Sequence, residues 1–471
     1  MNPRAALLVL GLTTGCATSS LATDIARVRE ASRVDALPDV ATQPVDTGAA
    51  DDVRAILAKP LDADAAVRLA LLNNRELRAT LRELGVARGR LVQAGLVPNP
   101  IVEAELVPER DTEIELRVEY HVTGAVLAPL RARATAPEVE AARYRTAAAV
   151  VRLGYRVREA YYRALAASQR VHVAHRMQDS QAAARDAARA LFEAGNVREL
   201  DLAGQEAAYE KGRITVAQLE LEALDAREEL QKLLGLYGDT TAWRFAEELP
   251  EAGPLPPLPD ALETAAIRAN LDLRRSREEL EGLARQAGVT RLDGWLPDVS
   301  VDVHGLHVTP EPGTRATDAR EWRFGGGVTM TLPMFDRNQG ATASLEAAFD
   351  AALERHLGLA TDLRASARQA RARVVSAHAR ARTYQEVIVP AQRRVSEQTL
   401  LQYNAMQIGV FQLLSARREA LDVELAELET LREYWTAVAA LQALLTGVQV
   451  DGSAATGAVG SVDATNDAGG D

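Results

Sequence analysis

Two stretches of the chain carry carboxylates at every second position. Glu103 and Glu105 stand two apart, and so do Glu113 and Glu115, with Arg117 and Glu119 continuing the series. Asp298 and Asp302 recur in the second half. In an extended chain alternate residues share a face. The acids therefore line one side, while Val102, Ala104 and Leu106, and then Ile114, Leu116, Val118, Tyr120 and Val122, line the other. Against the seven acids stand two bases, Arg117 and Arg323. Rings of carboxylates favour cations. The plainer reading is that such a face only stays wet.

Other chemistry is sparse. His172 and His175 lie three apart in a helical stretch, and His304 and His307 lie near a loop. A metal would need further ligands beside them, and no thiolate is at hand. The sequence has no Gly-rich phosphate loop, nucleophile elbow or zinc-protease motif. No enzyme, cofactor or resident metal is expected. A net charge of -12 and a pI near 5.3 exclude the basic stripe that a nucleic acid requires.

The acids sit on two expected hairpins, about 101–122 and about 297–333, with strands long enough to cross a bilayer when tilted. No run of 18 apolar residues exists, so a membrane could be spanned only as a barrel. Four such strands cannot close one, since the smallest spanning barrels use eight. Chains must then associate. Trp295 and Trp322 are placed at the starts of successive strands, where they would serve as interfacial aromatics.

A duplication organises the rest. Asp64, Ala65, Asn74, Leu77, Arg78 and Leu84 align with Asp260, Ala261, Asn270, Leu273, Arg274 and Leu280. Further on, Gly95, Leu96 and Pro98 align with Gly294, Trp295 and Pro297. Each copy is a helical stretch stopped by Gly-x-x-Pro and followed by alternation. Long helices are expected over about 137–194 and 199–236, and again over about 339–405 and 411–445. Heptad steps run through Leu202, Tyr209, Val216, Ala223 and Leu230, and through Leu414, Leu421, Leu428 and Trp435, the spacing of supercoiled helices. The breaks lie at Gly195-Asn196 and at Gln407-Ile408-Gly409. Pro390 should bend its helix.

The ends differ from the body. Arg4, an apolar stretch and small residues lead to Cys16, the sole cysteine, in the manner of a secretory signal. This resembles a bacterial lipoprotein signal with Thr13 where Leu is usual; a plain signal peptide is the alternative. The organisation expected is therefore signal 1–15, lipidated tether 16–60, first repeat 61–236, linker or equatorial segment 237–258, second repeat 259–447 and disordered tail 448–471.

Helix, hairpin and two long helices, written twice behind such a signal, resemble the TolC family of outer-membrane efflux proteins. The stretches AVRLALLNNRELRA, QAGLVPNP, TLPMFDRNQGA, LFEAGNVRELDLAGQ and QYNAMQIGVFQLLSAR carry the likeness. The last two align with each other, with Phe192 on Tyr403, Ala194 on Ala405 and Leu202 on Leu413. The first half lacks a counterpart of Leu332-Pro333-Met334-Phe335. The resemblance implies a mainly α fold with a small β part, a homotrimer sharing a twelve-stranded barrel, and an α-helical tunnel into the periplasm. It implies an outer-membrane location, a lipid anchor at Cys16, and docking of a periplasmic adaptor and inner-membrane pump at the tips Gly195, Asn196, Gln407, Ile408 and Gly409. It makes the chain the exit duct of a tripartite efflux system, with Glu103, Glu105, Glu113, Glu115, Glu119, Asp298 and Asp302 in the lumen. A type I protein-secretion duct shares this architecture. A non-transporting periplasmic coiled-coil scaffold is the rival.

Overall fold

The computed structural model describes residues 21–34, 37–38, 50–108, 112–246, 248–309 and 322–450. Cys16, the signal and the tail from 451 lie outside the described residues. The chain divides into two compact units. One holds 1–154, 231–244 and 267–365, and the other holds 155–230, 245–266 and 366–471.

In the first unit the aligned asparagines prove to be helix caps. The helix expected to run unbroken to 96 is two helices, α3 (Ala63–Asn73) and α4 (Arg75–Gly95). Asn74 Oδ1 accepts from the Leu77 N–H at 2.9 Å, and its Nδ2 donates to Leu233 O at 2.9 Å. Likewise α7 (Leu262–Ala269) gives way to α8 (Leu271–Asp293), where Asn270 Oδ1 accepts from the Leu273 N–H at 2.7 Å. A side-chain oxygen satisfying an orphan N–H is what starts a helix at such a point.

The segment 16–60, expected to be a tether without period, contains α1 (Leu21–Ser32) and α2 (Ala50–Leu57). Asp24 on α1 is fully buried. It accepts from Arg88 at 2.7 and 2.6 Å and from Arg143 at 2.9 and 2.5 Å. Charge-assisted paired bonds of this kind hold a short helix that its own length would not.

The sheet has strands β1 (Ile101–Pro108), β2 (Thr112–His121), β3 (Asp298–Thr309) and β4 (Trp322–Thr331), all antiparallel in the order β1-β2-β3-β4. β3 begins at Asp298, so Trp295 precedes the strand, and the Arg337 guanidinium lies 4.9 Å from its ring centroid. The helix after β2, expected from about 137, starts at once as α5 (Val122–Glu193), with Pro129 and Pro137 inside it. Pro137 has no N–H for the carbonyl four residues back. That carbonyl, Arg133 O, instead accepts from Arg285 at 2.8 Å.

The second unit takes the rest of α5, α6 (Glu199–Leu234) as far as Leu230, α10 (Val389–Asn404) and α11 (Val410–Thr446). It also takes the end of α9 (Gln339–Thr383). On α6 the heptad positions Val216 and Leu230 are buried, as is Leu421 on α11. Before Pro390 the helix widens into a π turn, Tyr384–Ile388, in which the Val389 N–H reaches Tyr384 O. The wider turn absorbs the proline's missing bond. Val448 and Gln449, expected to open the tail, are packed: Val448 is buried and Gln449 donates to Ser366 at 2.8 Å.

Candidate functional site

The strand register sorts the sheet into two faces. On one, Val102 pairs with Val118, Val118 with Val303, Tyr120 with Val301, and Val301 with Val328. On the other, Glu103 pairs with Arg117, Glu105 with Glu115, Glu119 with Asp302, and Asp298 with Thr331. Glu113, opposite Val107 and Val308, is on this second face too. All seven acids and both arginines thus share a face, which also holds Ile101, Val107 and Leu306. The apolar face is the barer one: Val102 and Val328 are 68% exposed and Phe324 is 78% exposed. A patch of that kind on a lone chain marks a surface made to be covered.

Two glycines shape the acidic face. Gly327 lies under the Asp302 carboxylate, where an added Cβ would stand 2.3 Å from Oδ1. Gly325 lies under the His304 ring, where a Cβ would stand 2.5 Å from Nε2. Any larger residue would lift these side chains off the sheet. Asp302 and His304 bond at 2.9 Å, and Arg117 bonds Glu115 at 2.9 Å. One residue that sequence reasoning missed ties the hairpins together. Thr123 Oγ1 donates to Pro297 O at 2.9 Å and accepts from the Val299 N–H at 2.8 Å. Only its place just after a strand could have signalled it.

The two helical turns are built alike. In the first, Gly195 has φ +74, and the Asn196 N–H returns to Leu191 O at 2.8 Å. In the second, Met406 has φ +58, and the Gln407 N–H returns to Gln402 O at 2.9 Å. Both are left-handed helix stops with the 6→1 bond. The next helix is capped alike as well. The Arg198 N–H donates to Asp201 at 3.3 Å, and the Gly409 N–H donates to Gln412 at 3.2 Å. Arg198 holds the Asp201 carboxyl below its ordinary range. The counterpart of Gly195 is therefore Met406, which the sequence did not single out; it is 93% exposed. Gly409 is the cap that opens α11.

Ionic pairs line a cleft among α5, α6, α9 and α11 in the second unit. Burial raises the Glu159 carboxyl and pushes Tyr155 up to about 12. Glu429, held by two bonds from Arg432 at 3.0 and 2.5 Å, is lowered by that contact. His175 contacts Glu220 at 3.2 Å, and His307 stacks on Trp322 with centroids 5.2 Å apart. Among the described residues no group of three His, Cys, Asp or Glu is placed to hold a metal, and no helix is long and apolar enough to cross a membrane.

The family model "Outer membrane efflux protein" matches residues 128–236 and 263–447. The cobalt-zinc-cadmium resistance protein CzcC of Cupriavidus metallidurans is 26% identical over 396 residues, spanning 82% of this chain and 90% of that protein. A membrane protein from Pseudomonas aeruginosa has a TM-score of 0.68 at 19% identity, covering 82% of this chain and 93% of its own. The CmeC outer membrane channel of Campylobacter jejuni has a TM-score of 0.65 at 17% identity, covering 82% and 85%. The shared fold is mainly helical with four antiparallel strands.

Proposed function

Because the chain belongs to the outer membrane efflux protein (TolC) family, it is a non-enzymatic outer membrane efflux channel of a tripartite system, and we propose that it conducts divalent metal cations through a barrel shared by three copies. The observation that carries this reading is the division of the sheet, with its valines bare on one face and its seven acids gathered on the other. Four strands leave two edges whose N–H and C=O groups lipid cannot satisfy, and twelve enclose an open lumen. With the valines toward lipid, the acids face the lumen, three copies of each. Rings of carboxylates concentrate cations and repel anions. The relative CzcC is named for cobalt, zinc and cadmium resistance, which supports metal cations over drugs or polypeptides.

The chain supplies a path and no energy. Opening falls to the helical turns around Gly195 and Met406, where a periplasmic adaptor docks and an inner-membrane pump drives export. Two packings of the helices there would supply the switch. Cys16 is the proposed lipid-attachment site, and the mass of the mature N-terminus tests it: an unmodified Cys16, or a chain that still carries residues 1–15, removes the anchor.

The selectivity test is electrical. Purified protein in a planar bilayer under a salt gradient should give a reversal potential of the cation-selective sign. Replacing Glu119 and Asp302 with their amides should move it toward zero. An anion-selective potential in the native protein would defeat the proposal.

A further inference from the structure

Two imidazoles share the acidic face of the sheet, and one of them is held as a metal ligand is held. His121 stands opposite Ser300, and His304 stands opposite Arg117 and Gly325. His304 Nδ1 lies 2.9 Å from Asp302 Oδ2. A carboxylate can only accept, so the proton of the neutral ring sits on Nδ1 and Nε2 keeps its lone pair. A histidine that ligates a metal gives its other N–H to a carboxylate in the same way, which fixes the ring and raises its basicity. Among the described residues no carboxylate bonds His121.

The sheet is shaped to let the His304 ring reach. An added Cβ at Gly325 would stand 2.5 Å from its Nε2, 2.9 Å from Cε1 and 3.3 Å from Cδ2. The ring therefore crosses from β3 onto β4, with its free nitrogen over a residue that has no side chain. Gly327 clears the Asp302 carboxylate in the same manner. Arg117, the partner of His304 on β2, is turned to Glu115 at 2.9 Å, and Glu119 stands opposite Asp302. The His304 side chain is 35% exposed and that of Asp302 17%. The ligand is open, and the carboxylate that steers it is sheltered.

We propose that His304 sorts the cations that meet this face: its Nε2 takes borderline and soft divalent cations such as zinc and passes over magnesium and calcium, with Asp302 as the positioning residue. This rests on the reading that the acidic face lines a cation path, and adds to it the donor that tells one divalent cation from another. Carboxylates alone do not, since oxygen donors suit magnesium and calcium. Imidazole suits zinc, copper and nickel. One such nitrogen per chain is no trap. No group of three His, Cys, Asp or Glu among the described residues is placed to close around a metal. A cation held by one nitrogen and its own water leaves as readily as it arrives, which passage requires.

The test is block of potassium current through purified protein in a planar bilayer, titrated with zinc chloride and separately with magnesium chloride. The reversal potential is read on every variant to show that a cation-selective channel has formed. Zinc should halve the current at a concentration about tenfold below that of magnesium, a preference of about 1.4 kcal/mol. His304→Gln should bring the two concentrations together. His304→Cys, whose thiolate is a softer donor, should keep them apart. His121→Gln should leave the ratio as it is, and Gly325→Ala, whose Cβ displaces the ring, should narrow it. Equal block by the two metals in the native protein overturns the proposal. So does a ratio that survives His304→Gln, or one lost equally in His304→Cys. If His304→Gln forms no channel, Gly325→Ala decides, and an unchanged ratio there overturns the proposal. A native protein without cation-selective current defeats the cation path itself, and its reversal potential tells that outcome from the others.

Discussion

The two halves of this molecule use the same hydrogen bonds with different residues, and the difference shows what each half is free to vary. Both open α-helices with an asparagine cap, Asn74 and Asn270. Both end a long helix in a left-handed residue followed by a backbone-to-side-chain cap, Gly195 with Asp201 and Met406 with Gln412. Both build a hairpin with one apolar face. The hairpins diverge on the other face. The first carries five of the seven acids, and the second carries glycines that let Asp302 and His304 lie flat. Backbone geometry is what the repeat keeps, while the side chains divide the work.

The largest effect should come where the halves have to agree. Val118, opposite Val102, and Val328, opposite Val301, are equivalent in the repeat, and both are exposed on the apolar face. Arginine at either site near the midplane of a bilayer costs about 2–4 kcal/mol, incurred three times per barrel. Val118→Arg and Val328→Arg should each abolish recovery of three-chain particles from outer membranes. Normal particles from one variant alone would break the equivalence, and normal particles from both would show that this face does not meet lipid.

The caps should separate the halves. Asn74 uses both ends of its amide, the oxygen for the Leu77 N–H and the nitrogen for Leu233 O. Asn270 is fully buried, and its nitrogen has no partner among the described residues. Serine caps a helix as well as asparagine does. Asn74→Ser should therefore destabilise by about 1–3 kcal/mol, the penalty for a buried carbonyl left unpaired. Asn270→Ser should be neutral or stabilising, since it removes an unsatisfied donor. Thermal unfolding of the two variants decides, and equal losses would show that the amide nitrogen of Asn74 contributes nothing.

The parts of this plan that were legible in sequence are those fixed by period. Alternation exposed the strand faces because one face must be apolar throughout, whereas the aligned asparagines were read through as parts of unbroken helices and only the structure shows them to be caps. What stayed hidden depends on partners distant in sequence. Helix α1 is held by Asp24 through Arg88 and Arg143, which lie on other helices. The start of α5, expected at about 137, lies at Val122, and Arg133 O, which Pro137 cannot bond, is taken by the distant Arg285. Met406 was missed because nothing in its type suggests a left-handed backbone.

That residue offers a smaller effect of opposite sign in the two halves. A side chain in the left-handed region costs roughly 1–2 kcal/mol, which glycine avoids. Gly195→Met should destabilise the first turn by about that amount, and Met406→Gly should relieve the second. Met406 is almost wholly exposed, so packing within the chain does not account for it. An apolar side chain held out at the proposed docking turn does. Met406→Gly should thus raise the unfolding temperature while weakening adaptor capture. If it stabilises the chain and leaves capture intact, the second turn takes no part in docking.

The smallest effect concerns two glutamates of the second unit, one on each half of the repeat, which ought to respond to acid in opposite directions. Glu159 on α5 is raised above its ordinary 4.5 by burial, and Arg163, its helical neighbour at 3.4 Å, also bonds Glu229 at 2.8 Å. Glu429 on α11 is lowered from 4.5 by its bonds from Arg432. A raised carboxyl ionises more readily in the unfolded chain, so its charge weakens the fold at neutral pH, and the loss is recovered as pH falls through the folded value and then 4.5. A lowered carboxyl stabilises the fold above 4.5, and that gain fades as pH falls through its depressed value. Glu159→Gln should therefore raise the unfolding temperature at neutral pH, with the gain shrinking on acidification. Glu429→Gln should lower it at neutral pH, and the deficit should close only in stronger acid. Thermal scans of both variants against the parent from neutral to acid pH would show the two differences closing from opposite sides, with Glu159→Gln converging first. Convergence in the other order would mean that Arg163 outweighs burial at Glu159.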